Sequence, residues 1–395
     1  MKVLWLASWY PNLHEPYNGD FIQRHAIAVA SVIPVDVIHV LQTGHKVNVA
    51  DDAVTITKKD GLTEYICSFA FRQTGIGIVD KIRYNILYHR FYRKVVKDYI
   101  QQNGRPDLVH VHVPVKAGLM ALELMYTYKI PYIVSEQSSH YEERSPDYFF
   151  KRSKYFRHNT RRIFENALAV TNVSATIGSR LQSLFQIRSY KTIHNLVDTT
   201  KFFYSEPLPH HTLRLLHVSS MSEQKNVAGI ITALATFDRH YKYWQCTFCG
   251  PHAAGLQEMA ATAGIADKLF FTGEIAYADV ALQMQQADFF VLFSNHENFP
   301  CVVVEALCCG LPVVSSDAGG VREAIDESNG LLVAVGDEQQ LADALKKLTA
   351  NRHVYNRPLI ASQAKGKYNA AGIASAFVEL YRSTINKTGE KQQKI

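Results

Sequence analysis

Two glutamates eight positions apart, Glu297 and Glu305, stand in the stretch HENFPCVVVEALCCGLPVVSSDAGG. The first lies just beyond an apolar run; the second interrupts one, with Val302, Val303 and Val304 before it and Ala306 and Leu307 after it. An ionised carboxylate in such company is costly to desolvate without a partner, so Glu305 requires either a basic neighbour or a ligand that donates hydrogen bonds. The residues around it point to the ligand. Pro300 predicts the first turn of a helix, where its missing N–H costs nothing, and Gly310, Leu311 and Pro312 end that helix after about Cys309. The free amides of Cys301, Val302 and Val303 then form a positive helix end suited to a phosphate. Glu305, set just behind them, is placed to accept hydrogen bonds from a ribose diol.

These residues need a scaffold that brings a loop and a helix start to one edge. Residues 2–8 (KVLWLAS), 33–40 (IPVDVIHV), 107–112 (DLVHVH), 131–136 (PYIVSE) and 168–173 (LAVTNV) are short, mostly apolar runs separated by segments of helical spacing such as FIQRHAIAVA and VKAGLMALELM. Strands alternating with helices imply a parallel sheet covered on both faces. The two prolines of FYSEPLPHHT (203–212) interrupt the alternation, which resumes with LRLLHVSS, KYWQCTFCG, KLFFTG, ADFFVLFS, PVVSSD and GLLVAV as strands. The expected fold is α/β, with two doubly wound parallel-sheet (Rossmann-like) domains facing across a cleft. Residues 1–205 form the first and 206–370 the second; 371–395 form a helix that packs back towards the first domain, ending in a frayed polar tail, NKTGEKQQKI. Such sheets bind ligands at their carboxyl edges.

A length of 395 residues favours two domains, and 20% charged with 47% hydrophobic residues describes an ordinary soluble globular chain. The start, MKVLWLASWYPN, is too short for a membrane span and has no cleavage pattern, so a cytoplasmic, unprocessed chain is expected. The six cysteines do not resemble a secreted disulfide framework. Cys246 and Cys249 form a CxxC, but YWQCTFCG reads as a buried strand and no second ligand pair follows at metal spacing. His110 and His112 form an HxH without further ligands; His110 reads as a packed core residue, and no metal site is expected.

Charge is uneven: residues 1–210 carry 26 Lys and Arg against 18 Asp and Glu, net +8, whereas the rest carries 16 against 18, net −2. The first half should therefore meet any anionic partner. Two of its stretches, DKIRYNILYHRFYRKVVK (80–97) and YFFKRSKYFRHNTRR (148–162), have the composition of a face that rests on anionic lipid headgroups. Solvated helices with aromatics in the core are the alternative. No nucleic-acid-binding motif occurs, and nucleic acid is not an expected partner.

Several motifs in order give the chain a family resemblance. ENFPCVVVE resembles the Glu-x7-Glu signature of the retaining glycosyltransferases of family 4 (glycosyl transferases group 1), which have the two-domain GT-B fold. MKVLWLASWYPNLHEPYNGDFIQRH is similar to the family's opening strand and glycine loop, PDLVHVH to its strand ending in histidine, and TIHNLVDTTKF to the segment before the interdomain linker. VSSMSEQKN resembles the phosphate-binding turn, CGPH the Gly-x-Gly turn, and EALCCGLPVVSSDAGGVREAI the family's most recognisable run. The resemblance implies a hexosyltransferase-type enzyme that takes a nucleotide-diphosphate sugar as co-substrate, with no cofactor, and passes the sugar to a glycan or lipid-linked acceptor, as in cell-surface polysaccharide biosynthesis. A membrane-borne acceptor would place it at the inner face of the membrane as a peripheral protein.

Residue by residue, the resemblance makes Glu297 face the donor sugar and Glu305 bind the ribose. Backbone groups around Asn298, Phe299, Cys301 and Val302 hold sugar and diphosphate, with Gly250 in the Gly-x-Gly turn. Lys225 neutralises the departing diphosphate. From the first domain, Gly19 lets the backbone approach the phosphates, His112 contacts the sugar and helps position the acceptor, and Gln137 and His140 lie on the acceptor side. Four positions depart from the pattern. Ser220 stands where an arginine precedes the lysine by five residues, Leu196 and Pro300 replace glycines, and Gln137 replaces a common histidine. Losing the arginine removes a charge-assisted hydrogen bond worth about 1.5–3 kcal/mol, which a basic group of the first domain could replace. The absence of Asp-x-Asp implies a metal-independent reaction. Two alternatives are a non-catalytic sugar-nucleotide-binding or membrane-scaffold protein and a sugar-nucleotide epimerase of the same fold.

Overall fold

The computed structural model describes residues 1–43, 52–187, 189–252 and 254–392. Among these, the strands form two sheets. The first has the order β3-β4-β2-β1-β5-β6-β7-β8, with β1 Val3–Ala7, β2 Val35–Thr43, β3 Ala53–Lys59, β4 Leu62–Ala70, β5 Leu108–His112, β6 Tyr132–Glu136, β7 Val170–Asn172 and β8 Tyr190–Thr192. The second has the order β11-β10-β9-β12-β13-β14, with β9 Leu213–Val218, β10 Trp244–Cys249, β11 Leu269–Gly273, β12 Phe289–Leu292, β13 Val313–Ser316 and β14 Gly330–Val333. Every neighbouring pair is parallel except β3 with β4, which is antiparallel.

Helices cover both faces. In the first half they are α1 Asp20–Ala30, α2 Gly77–Asn103, α3 Ala117–Tyr128, α4 Lys154–Asn166 and α5 Ala175–Phe185. In the second they are α6 Val227–Asp238, α7 Leu256–Thr262, α8 Tyr277–Gln286, α9 Cys301–Cys308, α10 Glu338–Ala350 and α11 Arg357–Tyr368, followed by α12 Ala370–Gln392. This double cover explains why β1, β5, β6, β12 and β13 are buried along their whole length and read as continuous rather than alternating apolar runs.

The second sheet's strands all match the runs read from the sequence. In the first sheet the β3–β4 hairpin and β8 were not anticipated. β3 is an exposed edge strand paired through its backbone, and β8 is three residues long, so neither carries a buried apolar pattern. The tail expected to fray is helical as far as Gln392; residues 393–395 lie outside the described residues.

After the second sheet the chain returns to the first. α12 lies along α1, and its Ile373, Ala374, Phe377, Val378 and Tyr381 share a buried cluster with Trp5, Ile22 and Ala26. Strand order reverses between β1 and β5 in one sheet and between β9 and β12 in the other. Reversal points of this kind leave a crevice at the carboxyl ends of the strands.

Candidate active site

The loop that carries Glu297 is fastened on three sides. Its Asn295 amide donates to the Gln224 carbonyl at 2.7 Å and its Asn295 side chain to the Glu223 carbonyl, while Gln224 Nε2 donates to the His296 carbonyl. These bonds tie the loop to the 3-10 turn Glu223–Lys225, which is held in turn by Asn226 capping α6. From below, Ser316 Oγ donates to the Ser294 carbonyl at 2.6 Å. Gly319 closes the remaining side: at φ +58° its missing Cβ would stand 1.8 Å from the Glu297 carbonyl oxygen. Only glycine permits that approach.

Within this frame Lys225 Nζ lies 2.5 Å from Glu297 Oε1, and the buried Ser294 hydroxyl donates to the same oxygen at 2.7 Å. Glu305 is nearly fully buried on α9 and takes two donors, Tyr277 Oη at 2.6 Å and Arg24 Nη1 at 2.8 Å. Arg24 comes from α1, so this ion pair bridges the two sheets. Burial disfavours the arginine's charge, and its surroundings, Cys301, Glu305, Asp20 and Tyr277, more than offset that penalty.

A cavity of about 570 Å³ opens beside these groups, lined by Asp20 and Arg24 from α1, by Val218 to Ser220 at the end of β9, and by Lys225, Gly250, Cys301, Val302 and Glu305. Pro300 stands immediately before the first helical residue of α9, not inside its first turn, and the helix ends at Cys308 with Gly310 at φ +72° beyond it. α9 therefore presents its amino end to the cavity.

Of the candidate residues, Lys225, Gly250, Cys301, Val302 and Glu305 line this cavity, and the others lie elsewhere. Glu297 is buried beneath it and reaches it through Lys225. Asn298 turns its side chain away, donating to the Gln137 carbonyl at 2.8 Å across the seam between the sheets. Phe299 is buried against His194 with ring centroids 4.5 Å apart, and its carbonyl is taken by Asn195. Gly19, at φ +70°, is crowded by the Trp9 and Tyr10 backbone, so its freedom serves the fold of its own loop. His112 is fully buried, stacked on Trp5 at 4.0 Å, and lines neither large cavity. Burial holds it well below the usual imidazole range, and a hydrogen bond with the Gln137 side chain opposes that shift in part.

Gln137 is buried in the seam, whereas His140 lines a second cavity of about 720 Å³ in the first half, with Trp9, His14, Lys116 and Arg152. His110 is committed to the core, bonding Tyr381 and Ser135 at 2.7 Å each. Cys246 is buried, and burial raises its thiol well above the usual range. Among the described residues no group of three or more His, Cys, Asp or Glu is placed to hold a metal ion.

Two family descriptions match in tandem: Glycosyltransferase Family 4 over residues 36–201 and Glycosyl transferases group 1 over residues 198–365. The chain belongs to the family 4 glycosyltransferases. It is 23% identical, over 98% of its length and the whole of the relative, to TuaC of Bacillus subtilis, a glycosyltransferase assigned to teichuronic acid biosynthesis. It is 36% identical over 147 residues, 35% of this chain and 36% of the relative, to the D-inositol 3-phosphate glycosyltransferase of Frankia alni.

Among solved structures, the sucrose-phosphate synthase of Thermosynechococcus elongatus superposes with TM-score 0.75 at 18% identity, covering 98% of this chain and all of that one. Anabaena HepE in complex with UDP superposes with TM-score 0.72 at 20% identity, covering 97% and 100%. These likenesses establish a GT-B fold, and the family makes the protein a glycosyltransferase of the hexosyl-transferring class.

Arg24, Tyr277 and Ser294 were not legible as site residues of this glycosyltransferase. Arg24 lies 281 positions from Glu305, and no local pattern links them. The one available signal was the serine at position 220, which leaves room for a basic group from elsewhere.

Proposed function

We propose that this glycosyltransferase uses a nucleotide-diphosphate sugar as donor and works without a metal, retaining the configuration at the anomeric carbon. The observation that carries the reading is the shared cavity, in which Lys225, the amino end of α9 and Glu305 lie together at the reversal point of the second sheet. A diphosphate suits the lysine and helix end, and a ribose diol suits the carboxylate. HepE, a structural neighbour, has been crystallised with UDP and with UDP-glucose, which favours a donor of that chemical class here.

Breaking the bond from the anomeric carbon to diphosphate builds positive charge on the sugar and negative charge on the leaving oxygen. Lys225 meets the second. Glu297, which anchors Lys225, is assigned the sugar hydroxyls, and His112, at the carboxyl end of β5, the sugar and acceptor. The acceptor hydroxyl then attacks from the face the diphosphate leaves, and its proton passes to the departing phosphate oxygen.

For the acceptor we assign the cavity lined by Trp9, His14, Lys116, His140 and Arg152, a cationic and aromatic surface suited to a glycan or a lipid-linked sugar, as in cell-surface polysaccharide synthesis. α2 supports a lipid-borne acceptor: Tyr88, Phe91 and Tyr92 enter the core, but Ile78, Ile82 and Ile86 are exposed along one face beside Lys81 and Arg83. That face suits an anionic bilayer surface. No helix among the described residues is long and apolar enough to cross a membrane.

A thermal-shift panel of UDP, GDP and ADP tests the donor reading, because a ligand that binds only the folded state raises its melting temperature. Incubation with the matching sugar nucleotides then tests for release of nucleoside diphosphate.

A further inference from the structure

The ion pair of Arg24 and Glu305 poses a problem for the donor site on which the reading above rests. Glu305 is assigned to the ribose, yet its outer oxygen already accepts both Arg24 and Tyr277. If a ribose takes over the carboxylate, Arg24 is left as a largely buried cation, its side chain 16% exposed, with Asp20 at 3.2 Å as its remaining acidic neighbour. A buried charge stripped of its partner is strongly disfavoured. Asp20, itself 41% exposed, and the Tyr277 hydroxyl are then its remaining partners, and a ligand that supplies an anion as well as hydroxyls restores the lost pairing.

A second observation points to the same place. Arg24 lines the same cavity as Ser220, Lys225, Gly250 and Cys301. Ser220 occupies the position five residues before the lysine and carries no charge; its hydroxyl interacts with Ser222 at 3.1 Å. The guanidinium has five donors in a planar fork that matches phosphate oxygens, and the Arg24 Nε–H is buried without a partner.

We propose that Arg24 is the diphosphate-binding arginine of this enzyme, delivered from the first domain, and that donor binding transfers it from Glu305 to the diphosphate while the ribose hydroxyls replace it on Glu305. The exchange makes the first domain a direct ligand of the nucleotide. Before the donor arrives, the same arginine holds the ribose-binding carboxylate in place.

The test compares a nucleoside with its diphosphate. Affinities of UDP and uridine, or of whichever diphosphate and nucleoside bind best, are measured by titration calorimetry for the wild type, Arg24→Ala and Arg24→Lys, with melting temperatures confirming that each variant is folded. Arg24→Ala is expected to weaken diphosphate binding about tenfold to a hundredfold while nucleoside binding holds or tightens, because Glu305 is released. Arg24→Lys should recover part of the loss. Equal losses for nucleoside and diphosphate would mean that Arg24 only braces Glu305, and an unchanged diphosphate affinity would mean that it does not touch phosphate; either result overturns the proposal. Failure of the wild type to bind any nucleoside diphosphate would instead remove the donor reading, and this inference with it.

Discussion

Lys225 Nζ lies 2.5 Å from Glu297 Oε1, and the two side chains are 17% and 7% exposed. The residue assigned to the leaving diphosphate is thus fixed by the residue assigned to the sugar. Removing one member of such a pair leaves a buried charge, which costs about 3–5 kcal/mol, whereas removing both costs less. Lys225→Met should therefore lower stability more than the double variant Lys225→Met with Glu297→Gln. Urea melts of the three proteins check this ordering; equal stabilities would show that the pair is energetically idle.

Glu297→Gln alone should lose stability, since Lys225 is left without its partner, yet remain folded with Ser294 still bonding the side chain, and should lose transfer by about a hundredfold or more. Product formation at saturating donor, measured beside the melting temperature, separates the two effects. Turnover close to wild type in a folded Glu297→Gln would remove Glu297 from the reaction.

Gly319→Ala places a methyl group where the Glu297 carbonyl stands, at a φ that L residues rarely adopt. The Glu297 loop must move, so we expect a stability loss of about 1–3 kcal/mol and a fall in turnover out of proportion to it. Retained activity with retained stability would show that the loop tolerates displacement.

Stability should decline on mild acidification. Burial, opposed in part by backbone hydrogen bonds, lowers His25, His39 and His217 to about 4, and burial holds His110 and His112 well below the ordinary value of 6.5. The unfolded chain then binds more protons than the folded one between pH 6.5 and about 4, so stability is fully present above the first value and falls as the pH drops through this window. Each histidine at about 4 contributes about 2 kcal/mol of loss between pH 7 and 5. Denaturant melts at pH 7.5, 6 and 5 should show a steep decline, and a flat profile would contradict the buried neutral state of these rings.

The exposed α2 face should bind anionic bilayers. Sedimentation with phosphatidylglycerol vesicles is expected to pull down the wild type and to leave Ile78→Glu with Ile82→Glu in solution, with little binding to phosphatidylcholine. Equal behaviour of the two proteins would leave α2 without this role.

Local pattern and tertiary approach account for what could be read before the fold was known. The inner strands β1, β5, β6, β12 and β13 were legible because each is buried on both faces and so leaves a continuous apolar run, as in FFVL at β12, whereas β4 and β8, parallel but only partly buried, leave none. The edge strand β3 was not, because its residues face solvent and its order comes from pairing with β4. Cys301, Val302 and Glu305 were legible because one short helix fixes them relative to each other. Arg24 was not, because it meets Glu305 only when two sheets and the returning α12 bring α1 against the second domain. His112 was placed at the right strand end, but the depth to which Trp5 covers it depends on packing that no sequence motif encodes.

The central claim is that the cavity between Lys225, the start of α9 and Glu305 holds a nucleotide-diphosphate sugar. A crystal structure of the protein with such a donor tests it most directly. The account predicts diphosphate oxygens at Lys225 and the Cys301 and Val302 amides, ribose hydroxyls on Glu305, and the sugar turned towards Glu297. A donor lodged elsewhere, such as in the cavity beside His140 and Lys116, with this one empty, would contradict it.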